Sequence, residues 1–194
     1  MKVVLASSSP RRSELMKFLE MPFEVVVRET NEKIMYSSNP YIQCMSVAKE
    51  KAQVVFEEIK GDVVVIGGDT MVLYQNKIYG KPQNHEDAYQ MIEEFGNHQH
   101  EVISSICVLI RKDGKTYEEM DYDKCEVFVD NMTSSEINDW INNHDVYTRA
   151  GAYAIQDGFG KYIKEIKGDY FSIVGLPVHK LYAILKKYNI FDLK

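Results

Sequence analysis

The residues best placed to do chemistry are two adjacent arginines, two lysines, a glutamine and two carboxylates. Arg11 and Arg12 follow Ala6-Ser7-Ser8-Ser9-Pro10. Ser9 can cap a helix, because its hydroxyl accepts from a first-turn amide, and Pro10 suits the first helical position. Free amides and the positive end of the helix dipole gather at such a start and favour an anion. Two guanidinium forks match phosphate oxygens. The same residues would also make a plain capped surface helix with solvated arginines. Asp69 comes after the apolar run Val63–Ile66 and two glycines. A carboxylate at the end of a buried strand can bind a hard cation or take a proton from water; it can also bond its own turn. Lys51 interrupts the apolar stripe Cys44, Val47, Ala48, Ala52, Val55 and Ile59. An ammonium there needs an anion, unless its stem snorkels to the helix edge. Lys81, in Gly80-Lys81-Pro82, could reach the same place or stay solvated. Glu32 is a second carboxylate for a metal, or a loop glutamate. Gln156 ends Ala150-Gly151-Ala152-Tyr153-Ala154-Ile155, where its amide could read a nucleobase edge by accepting and donating together.

These groups need a frame. Val3–Leu5 reads as a short buried strand, followed by a helix from Pro10 to about Glu20 with Leu15, Phe18 and Leu19 facing a core. Phe23–Val27 is expected to be a strand. Asn39-Pro40 opens the longest helix, to about Lys60. Val63–Ile66 is a strand buried on both faces; Met71–Tyr74 and Lys77–Tyr79 form a hairpin. Asn84 caps a helix that buries Ala88, Met91, Ile92 and Phe95 and stops at Gly96. Glu101–Ile110, Tyr117–Met120 and Lys124–Val129 are strands. Thr133–Glu136 is a capping box ahead of Ile137, Trp140 and Ile141. Ala150–Gln156, Tyr162–Ile166 and Tyr170–Val174 look extended, and Pro177 begins a last helix. Strands and helices interleave, but several strands pair as hairpins. The expected fold is α/β, a mixed twisted sheet with flanking helices and two lobes around a central cleft.

Composition narrows the function. The chain has 194 residues and a formal charge of −6, so nucleic acid and anionic membrane are disfavoured partners, and a phosphate site has to be a local basic pocket. Cys44, Cys107 and Cys125 form no Cys-x-x-Cys pair, as expected of buried thiols in a reducing cytoplasm. No leader is visible, and no apolar run is long enough to span a bilayer. The five histidines make no zinc pattern; His98 and His100 read as solvated turn residues. Neither a P-loop, nor a dinucleotide fingerprint, nor a nucleophile elbow is present.

Six stretches, in order, resemble the Maf family: Ala6–Leu15, Ala48–Ala52, Gly68-Asp69-Thr70, Gly80-Lys81-Pro82, Ala150–Gln156 and Val174-Gly175-Leu176-Pro177. The resemblance covers nearly the whole chain and implies a single Maf-like domain, residues 1–194, of the fold shared with inosine-triphosphatase-like enzymes. It also implies a nucleoside triphosphate pyrophosphatase that cuts between the α and β phosphates with a divalent cation, Mg²⁺ or Mn²⁺. By position, Asp69 matches the proton acceptor, and Ser7, Arg12, Lys51 and Lys81 match residues that hold the triphosphate. Glu32 matches an acidic residue near the metal. Arg11, Thr70 and Gln156 match the positions that separate subgroups, here resembling the dTTP/UTP type rather than the 7-methyl-GTP type. Family members often form homodimers. Two stretches depart from the family pattern: Ser104, where threonine is common, and Asp145–Arg149, ahead of Ala150. A nucleotide-binding regulator of cell division without turnover is the alternative that the family's name invites.

Overall fold

The computed structural model describes residues 1–30 and 39–191. The elements are β1 (Lys2–Ala6), α1 (Pro10–Met16), β2 (Glu24–Val25), α2 (Pro40–Glu58), β3 (Val63–Tyr74), β4 (Lys77–Tyr79), α3 (His85–Phe95), β5 (Gln99–Lys112), β6 (Lys115–Val129), α4 (Ser134–Asn143), β7 (Ile163–Lys167), α5 (Tyr170–Val174) and α6 (Val178–Lys187). Seven strands form one sheet in the order β2-β1-β3-β5-β6-β7, with β4 paired to β3. The pairs β1–β2 and β1–β3 are parallel, whereas β3–β4 and β6–β7 are antiparallel. The sheet is therefore mixed, as the hairpin signals indicated.

The chain divides into two compact units. The first comprises residues 1–69, 104–123 and 175–194; the second comprises 70–103 and 124–174. In the first, α2 lays Ala48, Ala52, Val55 and Phe56 on Val4, Ala6, Val63 and Val65. The contact is close because Gly67 has no side chain: a Cβ there would fall 2.1 Å from the Ala48 carbonyl oxygen. In the second, Phe95, Trp140, Tyr153 and Phe159 anchor a core that α3 and α4 enclose. The capping box forms as expected, with Thr133 and Glu136 satisfying each other's backbone amides.

Several expectations are corrected. β3 does not end at Gly67 but runs unbroken to Tyr74, so Asp69 sits within the strand. Tyr117–Met120 and Lys124–Val129 are one strand, and Phe23–Val27 keeps only two residues of pairing. Phe18 is 62% exposed, because the helix tightens to a 3₁₀ turn at Lys17–Leu19 and Met16 takes the buried place. Ala150–Gln156 is no strand: Gly151 and Ala152 take φ of 70° and 63°, which ends extension. Tyr170–Val174 is helical. Asp169 starts it by accepting from the Phe171 amide at 2.9 Å, a local bond that outweighs the extended look of the sequence. His100 is buried on β5 rather than solvated in a turn.

Candidate active site

β1 and β3 run side by side, with Ala6 opposite Gly67. The segment that follows β1 therefore leaves the sheet beside Gly68 and Asp69, at the carboxyl ends of adjacent parallel segments, where α/β proteins place ligands. Ser9 caps α1 by accepting from the Arg12 amide, and Pro10 occupies its first turn. This start projects Arg12 inward, and only 8% of it is exposed. Its Nε donates to the Gly175 carbonyl at 2.9 Å and its Nη1 to Ser7 Oγ at 3.1 Å. A guanidinium held at two of its nitrogens has a fixed plane, which is what bidentate recognition of phosphate requires. Gly68 makes the room: a Cβ there would lie 3.1 Å from Arg12 Nε.

Lys51 reaches the same strand from α2. Side chains on a helix lean toward its amino terminus, so Lys51 leans back over Ala48 toward the turn that holds Cys44. Its Nζ meets Asp69 Oδ1 at 2.9 Å, with 20% and 15% of the two side chains exposed. The half-buried lysine thus has the anion its position required. The other carboxylate oxygen, Oδ2, faces the Cys44 thiol at 4.0 Å. Ser105 donates to the Cys44 carbonyl at 2.8 Å and lies 3.2 Å from its sulfur. Burial, with the Asp69 charge adding to it, pushes the Cys44 thiol up to about 12. It stays protonated, unsuited to nucleophilic attack but able to offer a weak S–H to the carboxylate.

Of the residues singled out from the sequence, Ser7, Arg12, Lys51 and Asp69 come together in the first unit. Arg11 is half-buried on α1 in the same unit. Thr70, Lys81 and Gln156 belong to the second unit. Lys81 is exposed on the loop whose Gly80 carbonyl accepts from the Gly151 amide at 3.0 Å. Gln156 is exposed in a turn closed by the Asp157 amide on the Ala154 carbonyl at 3.2 Å. Glu32 lies outside the described residues. Cys44, Ser105 and Gly175 were not singled out for chemistry. Cys44 precedes Lys51 by seven residues and so shares its face, and Gly175 sits in a motif that carried no role. Those were the available signals.

Among the described residues no three His, Cys, Asp or Glu side chains cluster as a metal site. Asp69 is the carboxylate beside the arginine and lysine. One carboxylate beside two cationic side chains could hold Mg²⁺ only with substrate phosphates and water completing its shell.

A buried arginine fork and a lysine–aspartate pair beside the carboxyl end of β1 define an α/β protein suited to a phosphorylated anion. The model of the family described as Maf-like protein matches residues 2–188, and the chain belongs to that family. A Bacillus cereus protein named dTTP/UTP pyrophosphatase is 36% identical over 189 residues, covering 97% of this chain and 96% of the relative. A Bacillus thuringiensis protein of the same name matches at the same identity and coverage. Among solved structures, a HAM1 protein from Coxiella burnetii shares the fold, with a TM-score of 0.50 and 11% identity over 96% of this chain and 99% of that one.

Proposed function

We propose that this chain is a nucleoside triphosphate pyrophosphatase acting on dTTP and UTP, releasing the monophosphate and pyrophosphate. The observation that carries the reading is the Asp69–Lys51 pair at 2.9 Å in the same unit as the fixed Arg12 fork. The names of the relatives support the substrate class. In the proposed reaction a water attacks the α-phosphorus, the bond to the bridging oxygen breaks, and pyrophosphate leaves. Asp69 accepts the water's proton. Lys51 orients that carboxylate, and Arg12, steadied by Ser7, takes up charge that grows on the leaving pyrophosphate. By position in the family, Lys81 is assigned to triphosphate binding, and Arg11, Thr70 and Gln156 to setting which base is accepted. A glutamine suits uracil or thymine, since it can accept from N3–H and donate to O4. Mg²⁺ or Mn²⁺, held by Asp69 with Glu32 as a second candidate, would supply Lewis-acid polarisation of the phosphates. The three cysteines are buried and unlinked, in keeping with a reducing cytoplasm. Among the described residues no helix is long and apolar enough to cross a membrane. A homodimer is part of the proposal, and light scattering tests it.

The direct test is a panel of nucleoside triphosphates with Mg²⁺ or Mn²⁺, scored for the phosphorus product. Pyrophosphate with monophosphate, fastest from dTTP and UTP, is expected. Release of orthophosphate would rule out α–β cleavage, and tight binding with no product over hours would favour a non-catalytic regulator.

A further inference from the structure

The Ala150–Gln156 segment has no strand ladder to hold it, yet it carries the residue assigned to base reading. Gly151 and Ala152 both have positive φ, and Ala152 adopts a conformation that residues with a Cβ disfavour. Such a turn persists only when its surroundings fix it. Four contacts within the second unit do so. The Gly151 amide donates to the Gly80 carbonyl at 3.0 Å, and Trp140 Nε1 donates to the Ala152 carbonyl at 3.1 Å. Arg149 pairs with Asp157 across the turn. The Tyr153 hydroxyl meets His100 Nε2 at 2.6 Å.

The last contact is unusual in what it sets aside. His100 is 2% exposed and stacks on Phe95 at 4.4 Å between centroids. Its Nδ1 is buried and has no hydrogen-bond partner among the described residues. A phenylalanine would pack there without stranding a polar atom, and a stranded atom in a native core calls for an explanation. The polar return on this imidazole is the Tyr153 hydroxyl. Tyr153 is itself clamped, stacked on Phe159 at 4.5 Å. It directly precedes the Ala154–Asp157 turn that presents Gln156. Burial lowers the His100 ring to about 3, so it stays neutral and the bond keeps one form across the ordinary pH range.

We propose that His100 and Tyr153 form a positioning pair that fixes the turn carrying Gln156 and thereby sets base selectivity. The inference rests on the base-reading role given to Gln156 above. Its test is a double-mutant cycle on selectivity, the ratio of kcat/KM for UTP to that for CTP. Tyr153→Phe removes only the hydroxyl, and His100→Phe keeps a ring on Phe95. Each is expected to lower the ratio about 3- to 10-fold, the loss of one hydrogen bond, through KM for UTP, with kcat within about 2-fold. In a Gln156→Ala background the same changes should have no further effect, because the pair acts through that side chain. Additive losses in that background, or unchanged selectivity in Tyr153→Phe, overturn the proposal while leaving the reading of Gln156 intact. Unchanged selectivity in Gln156→Ala alone overturns the base-reading role, and the positioning role with it.

Discussion

Acid should weaken the second unit through one residue, His100. In the unfolded chain its imidazole takes a proton near pH 6.5, whereas in the folded protein burial delays this to about 3. Between those values the unfolded state binds the extra proton, so stability falls as pH falls, by about 1.4 kcal/mol per pH unit. From pH 7 to pH 5 the loss works out at about 2 kcal/mol for this one group. His100→Phe cannot titrate, and it should lose correspondingly less over the same interval. The single tryptophan, Trp140, lies in the second unit with its indole bonded to the Ala152 carbonyl, so its fluorescence reports on the right part of the molecule. Urea unfolding followed by Trp140 emission at pH 7 and pH 5, for both proteins, gives the difference directly. Equal acid losses in the two proteins would refute the claim that His100 is held neutral by burial.

Three further substitutions test the packing and the charges. Gly67→Ala drives a methyl into the Ala48 carbonyl oxygen, which belongs to a helix backbone and cannot swing aside; it should cost about 3 kcal/mol. Gly80→Ala, which meets nothing within 4 Å, should unfold at nearly the wild-type urea concentration by far-UV circular dichroism. Lys51→Met leaves Asp69 without its ammonium and removes a charge from the proposed phosphate cradle, so kcat/KM for dTTP should fall about 10²- to 10³-fold. Steady-state pyrophosphate release on protein of native circular dichroism checks it, and a change under about 3-fold would remove Lys51 from the site.

What the sequence made legible was mostly local chemistry. Ser9-Pro10, Asn39-Pro40, Asn84 and Thr133–Glu136 announce helix starts because their side chains satisfy first-turn amides, and each does so in the structure. The unbroken valines of β3 also read correctly, and the place of Lys51 in the apolar stripe of α2 was legible, though whether it met an anion or reached the helix edge was not. The burial of the valines follows from residue type alone. Failures came where tertiary contacts override local preference. Ala150–Gln156 looks extended, yet its small residues are there to let Gly151 close on Phe95 and Val72. His100 looks polar and exposed because a turn precedes it, and only the core around Phe95 buries it. The Gly175 carbonyl could not be foreseen as the partner of Arg12, since 163 residues separate them. The thiol of Cys44 looked like core filling until Asp69 was seen beside it.

The central claim is that the carboxylate of Asp69 accepts a proton from the attacking water, and Asp69→Asn tests it with almost no change of shape. Pyrophosphate release from dTTP and UTP should fall at least about 10²-fold, while calorimetry finds the triphosphate still bound by the arginine and lysine cradle. Turnover near that of the unaltered protein would contradict the account.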